Sequence, residues 1–168
     1  MDEEILGVAG YCGLACKACS VYIASCAGGE ALERRAAKAG MTAKEMYCKG
    51  CRSDKTSSYC AQCEIKKCIR EKKLNWCSEC TAYPCERILA FKDSLPHRVE
   101  VCESLEFAKS HTLIEWTHKM KEDFTCDKCG SYNSVYAKEC IKCGNENVNA
   151  FAKRHWKIIE DSPERENV

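Results

Sequence analysis

Fifteen of the seventeen cysteines in this 168-residue chain stand at spacings that suit metal ligation. The most specific arrangement is Cys126-Asp127-Lys128-Cys129-Gly130, followed after ten residues by Cys140-Ile141-Lys142-Cys143-Gly144. A Cys-x-x-Cys-Gly turn points two sulfurs at one ion, and its glycine supplies the positive φ that closes the turn. Two such turns predict a zinc ribbon of short β-hairpins. Its four thiolates would complete a tetrahedral shell and leave no position for substrate, so the site is expected to be structural. Iron fits the same four-sulfur geometry and is the alternative metal.

The middle of the chain carries eight more cysteines. Cys48-x2-Cys51 is followed by Cys60-x2-Cys63-x4-Cys68, and the last pattern recurs 17 residues on as Cys77-x2-Cys80-x4-Cys85. Repeated spacing predicts repeated geometry. The third cysteine of each triplet lies five residues past the second, about 140° around a continuous helix, so one ion would not take both from an unbroken helix. The eight complete two four-thiolate sites, sequential or interleaved. Cys12, Cys16 and Cys19 then remain as three sulfurs with a fourth position to fill, from Cys26, a histidine, water or an exogenous thiol. An open position is where chemistry would happen. This group is the expected centre if the protein is a metalloenzyme or redox protein with an iron–sulfur cluster or an open zinc–thiolate. Its spacing is also that of radical S-adenosylmethionine enzymes, whose many strands and motif aromatic (here Ala18) are missing.

Seventeen cysteines imply either disulfides or metal, and the compartment separates the two. The acidic start Met1-Asp2-Glu3-Glu4 lacks the basic flank of a secretion signal, and Ile5 to Ala9 is short and broken by glycine. A reduced, cytoplasmic protein without a membrane span is expected. The formal charge of +1 is that of the unloaded chain. Roughly sixteen thiolates around roughly four Zn²⁺ would lower it by about 8, to about −7, which disfavours indiscriminate binding to phosphate backbones. Lys17, Lys49, Arg52, Lys66, Lys67, Lys128 and Lys142 stand among the cysteines, where their expected role is to balance thiolate charge.

The elements that position these residues are short. A helix is expected over 30–39, stopped by Gly40, and then a turn capped by Thr42 and Glu45. Apolar residues at helical spacing from Ile88 to Met120 predict three helices, broken at Pro96 and at Ser110-His111-Thr112, with Cys102 as a buried small hydrophobe. Phe151, Trp156 and Ile158 are expected to pack the basic-aromatic tail onto the domain, and the charged residues 161–168 to fray. The organisation expected is a cysteine-rich multi-metal domain over 1–95, a helical connector over 96–123, and the ribbon with its tail over 124–168. The fold class is a small metal-stabilised, α-rich and irregular cysteine-rich domain ending in a zinc ribbon.

Tyr11-Cys12-Gly13-Leu14, Cys16, Cys19, Val21-Tyr22-Ile23-Ala24, Cys48-Lys49-Gly50-Cys51-Arg52-Ser53-Asp54, Cys60, Cys63-Glu64-Ile65-Lys66-Lys67-Cys68, Cys77, Cys80 and Tyr83-Pro84-Cys85-Glu86 form a pattern. It resembles the bacterial and archaeal cysteine-rich family known as domain of unknown function 3795, over about the first 95 residues. The resemblance implies metal binding without an established activity. It covers eleven of these cysteines and omits Cys26. The expected function is a zinc-binding structural or adaptor protein with about three to four ions and a protein partner. A nucleic-acid-associated role, carried by Tyr132, Tyr136, Lys138, Arg154, His155, Trp156 and Lys157, is the third reading.

Overall fold

The computed structural model describes residues 7–146 and 149–163. Residues 1–6 of the 1–9 stretch that carries the secretion argument, and 164–168 of the expected frayed tail, lie outside them. The chain folds into short helices joined by turns: α1 (Ser20–Ala27), α2 (Gly29–Lys38), α3 (Ala43–Met46), α4 (Ser58–Ala61), α5 (Glu64–Glu71), α6 (Glu86–Asp93), α7 (Val101–Ser110), α8 (Leu113–Phe124), α9 (Ala150–Arg154) and α10 (Trp156–Glu160). Three-residue 3-10 turns occupy Cys16–Ala18, Cys77–Glu79 and Pro96–Arg98. None of the described helices is long and apolar enough to cross a membrane.

Local sequence accounts for most of the boundaries. Thr42 and Thr112 each accept from the backbone N–H three residues on, and Glu45 and Glu115 reach back to their caps. These are two complete capping boxes. Gly40 follows α2 at φ 65°, the left-handed residue that ends a helix. Pro96 opens a 3-10 turn and separates α6 from α7, while His111-Thr112 separates α7 from α8.

The main core gathers residues from Ala9 to Ile159, centred on Trp76, Ile88, Val101, Leu105, Trp116, Phe124 and Phe151. Trp76 and Trp116 meet at 5.1 Å between ring centroids, tilted by 55°. Trp116 Nε1 donates to Ser104 Oγ at 3.0 Å, and Ser104 Oγ donates to the carbonyl of Gly13 at 2.7 Å. The loop that carries Cys12 is thereby fastened to α7 and α8. A satellite core of Val21, Ala24, Leu32, Ala36, Met46 and Cys48 holds α1, α2 and α3 together.

Three expectations need correction. The C-terminal region does not build a ribbon of short β-hairpins: no strand or sheet forms among the described residues, and only isolated bridges pair Ala9 with Ala15 and Thr125 with Tyr132. Side chains take up backbone groups that a ladder would have used. Asn133 Nδ2 donates to Ser131 O, Asn133 Oδ1 accepts from Ile141 N, and Ser134 Oγ accepts from Tyr136 N. Val135, Tyr136 and Ala137 are buried where a hairpin would have alternated. Second, the repeated triplets do not repeat in structure. Cys63 caps α5 and Cys68 lies within that helix, whereas Cys80 ends a 3-10 turn and Cys85 caps α6, because Pro84 has no N–H to continue a helix. Third, Cys102 is only partly buried. The buried face of α7 is Val101, Ser104 and Leu105.

Candidate metal centre

The four C-terminal cysteines form the most complete site. Each pair sits in a turn of the same construction. Cys126 N–H donates to Ser131 O at 2.9 Å and Gly130 N–H returns to Cys126 O at 2.8 Å. Cys140 N–H donates to Asn145 O at 2.8 Å and Gly144 N–H returns to Cys140 O at 2.9 Å. Gly130 and Gly144 stand at φ 69° and 67°, as the turns require. The four sulfurs lie within 4.8 Å of one another. Cys126 and Cys143 are 3.8 Å apart, and Cys129 and Cys140 are 3.6 Å apart. A tetrahedral ion with metal–sulfur bonds of about 2.3 Å separates its sulfurs by about 3.8 Å. The donor set therefore fits one thiolate-bound metal ion.

Hydrogen bonds around the sulfurs prepare them for a cation. Burial opposes ionisation of Cys140. Ser131 Oγ–H, the N–H groups of Lys142 and Cys143, and Asn133 Nδ2 outweigh it and draw the thiol down to about 5. Cys129 is lowered by Ser131, through both its hydroxyl and its N–H. The N–H of Asn145 favours the Cys143 thiolate, but burial and the neighbouring sulfurs of Cys129, Cys140 and Cys126 push that thiol up to about 12. Four like charges at this range cannot coexist without a cation between them.

In the N-terminal half, sulfurs meet in an order that sequence spacing does not reveal. Cys51 N–H donates to Cys16 Sγ at 3.3 Å, and Gly50 N–H donates to Cys48 Sγ at 3.4 Å. Cys19 caps α1, and burial raises its thiol against the lowering effect of the Tyr22 and Val21 N–H groups, with Cys48 as its sulfur neighbour. Cys60 is raised to about 11 by burial and then by Cys19, with Cys48 and Cys51 next. Cys12 is buried, and after burial the sulfurs that raise its thiol are those of Cys51, Cys63 and Cys77. Burial raises the Cys16 thiol against the Cys51 N–H, with Cys51, Cys19 and Cys48 as its sulfur neighbours. Cys77 is raised to about 12 by burial, followed by Cys85, Cys68 and Cys80. These last four line one cleft of about 590 Å³. Among the described residues, groups other than the C-terminal four do not bring three sulfurs within 4.8 Å of one another. None of the seventeen cysteines is in a disulfide. Cys26 is exposed near the end of α1 and pairs with the Tyr22 hydroxyl.

Several functional contacts escaped the sequence. Lys72 Nζ lies 3.0 Å from Cys80 Sγ and lowers its thiol, although no motif marks a lysine eight residues upstream. Burial lowers the Arg98 guanidinium, and the sulfurs of Cys12 and Cys63, far from it in sequence, oppose that. Asn133 and Ser131 are side-chain partners of Cys140. Of the expected charge-balancing lysines, Lys66 is buried beside Cys51, while Lys17 lies over the Tyr132 ring at 5.7 Å. Of the side chains named for a nucleic-acid role, Lys138, Arg154, Trp156 and Lys157 are exposed, and Arg154, His155 and Tyr136 have partners within the fold. Arg154 bridges Glu100 and Asp123, His155 meets Glu100 at 2.7 Å, and Tyr136 is buried against His97. Phe151 packs in the core as expected, but Trp156 and Ile158 are exposed.

No curated protein and no solved structure matches the chain. Residues 8–90 match the sequence model of the family described as protein of unknown function (DUF3795). That span contains Cys12 through Cys85, the whole N-terminal set of thiols, and this part of the chain belongs to the DUF3795 family.

Proposed function

We propose that the protein is a zinc-binding structural module that presents a surface to a protein partner. The reading rests on the convergence of Cys126, Cys129, Cys140 and Cys143 within 4.8 Å, a spacing suited to one tetrahedral zinc ion. With four protein sulfurs the shell is closed, so the ion holds the chain and performs no reaction. Its structural value lies in joining the turn after α8 to the turn before α9, on either side of the buried Val135-Tyr136-Ala137 segment. An interaction role is supported by large apolar side chains left at the surface. Ile141, inside the second turn, is 62% exposed, and Tyr59 and Ile114 are about half exposed.

Metal binding and folding are one process in such modules, because the unfolded chain has no preformed site. A high-affinity chelator added to the purified protein is expected to abolish most of the helical circular dichroism, and added zinc to restore it. Retention of the full helical signal after complete metal removal would reject this reading.

A further inference from the structure

The C-terminal quartet is drawn in to the spacing of one ion, with sulfur pairs 3.6 and 3.8 Å apart. A second set of four cysteines stands around an open space instead. Cys68, Cys77, Cys80 and Cys85 line a single cleft of about 590 Å³ between α5 and α6, and no three of their sulfurs lie within 4.8 Å of one another. We propose that this cleft holds an iron–sulfur cluster on those four thiolates, a cofactor separate from the structural zinc of the C-terminal quartet.

The four cysteines hang from supports that keep them apart. Cys68 lies inside α5, which Ile65 and Ile69 fix in the main core. Cys77 and Cys80 stand at the two ends of a 3-10 turn. Cys77 N–H donates to Tyr11 O at 3.0 Å, and Cys80 N–H to Cys77 O at 3.1 Å. Cys85 is the N-cap of α6, and Ile88, one turn on, is 1% exposed and anchors that helix. The walls are therefore held by backbone bonds and core packing. A single tetrahedral ion needs sulfurs about 3.8 Å apart and would have to pull both helices inward. Several irons bridged by inorganic sulfide take four cysteine thiolates around a larger body, and so fill the space without moving the walls.

The lining suits such a cluster. Ile65, Ile69, Ala82, Tyr83 and Ile88 give the cleft apolar walls, which limit the access of water to the irons. Lys72 Nζ lies 3.0 Å from Cys80 Sγ and sets a positive charge against the anionic centre. Hydrogen bonds to sulfur and exclusion of solvent are the levers that tune a cluster's potential. Cys77 is buried and Cys85 exposed, so the cleft has a closed end and an open one. Where iron and sulfide are withheld, the same thiols take zinc, more weakly than the preorganised C-terminal quartet.

The test is expression of the full chain in iron-replete cells and purification without oxygen, with iron, acid-labile sulfide and zinc measured on one sample and visible absorption recorded before and after dithionite. A brown protein is expected that bleaches on reduction and carries iron and sulfide in equal amounts, more than one of each per chain, with zinc in addition. Cys77→Ser and Cys85→Ser should each remove most of the iron, whereas Cys126→Ser should lower zinc and leave iron unchanged. Serine is a good N-cap and Cys85 caps α6 without a side-chain hydrogen bond, so Cys85→Ser keeps the fold and decides alone if Cys77→Ser does not. A colourless protein with zinc only, iron without sulfide, or iron retained by Cys85→Ser would each overturn the cluster while leaving the zinc reading intact. Iron and sulfide without zinc would uphold the cluster and overturn the zinc reading.

Discussion

Adding one methyl group at Gly13 should damage the protein far more than the same change at Gly40. Both glycines have positive φ, 86° and 65°, so alanine costs about 1–2 kcal/mol of backbone strain at either. The loss of unfolded-chain entropy offsets a similar fraction of that at both. Their surroundings differ. A Cβ at Gly40 meets nothing within 4 Å, whereas at Gly13 it would stand 3.0 Å from Leu105 Cγ, 3.2 Å from Val101 O and 3.3 Å from Ser104 Oγ. Overpacking against a core helix adds about 1–3 kcal/mol, and distortion of the Ser104 to Gly13 hydrogen bond about 1 kcal/mol more. The expected difference between Gly13→Ala and Gly40→Ala is about 2–4 kcal/mol. For a chain of this size that is a Tm lower by about 6–11 °C, measured by thermal unfolding of the zinc-loaded proteins. Because the loop carries Cys12, Gly13→Ala should also weaken the metal site at Cys12. Equal Tm values for the two variants would refute the packing argument.

Asn133 is fully buried and bonds Ser131 O, Ile141 N–H and Cys140 Sγ. Asn133→Ala should cost about 2–3 kcal/mol and about tenfold or more in affinity at the C-terminal metal site, measured by competition with a chromogenic chelator. Lys72→Met removes the ammonium 3.0 Å from Cys80 Sγ, the main cause of its lowered thiol, and should raise the pH at which zinc is half bound, because a more basic thiol competes harder for its proton; an unchanged midpoint would contradict the contact. His97 is depressed to about 4 by burial, with Arg98 adding to it, so it is neutral in the folded state. The unfolded chain binds the extra proton first, and the stability that His97 contributes is present above about pH 6.5 and lost as pH falls toward 4. Its full extent is about 3 kcal/mol. Denaturation at several pH values should show His97→Gln losing less stability than wild type between pH 6.5 and 5.

Local signals in the sequence marked the bounds of α2, α3, α6, α7 and α8, whereas α1, α4, α5, α9 and α10 were not foreseen. Thr42 with Glu45, Thr112 with Glu115, Gly40 and Pro96 each act within one turn of chain, and the structure places caps and breaks at all of them. The Cys-x-x-Cys-Gly turns were legible for the same reason. What failed was inference from spacing to larger geometry. Two identical triplets adopt different structures because Pro84 interrupts one of them, and the paired turns lack hairpins because Asn133 and Ser134 take up their backbone groups. Cys51 and Cys63 pack with Cys12 against the main core, a neighbourhood that only tertiary structure supplies.

The central claim is that thiolates of this chain hold metal, and the most direct measurement is zinc per chain. Mass-spectrometric metal analysis of protein purified without added metal, alongside Cys126→Ser, addresses it. About three to four zinc ions per chain are expected, with one fewer in the variant. Less than one equivalent of any metal in folded wild-type protein would contradict the account.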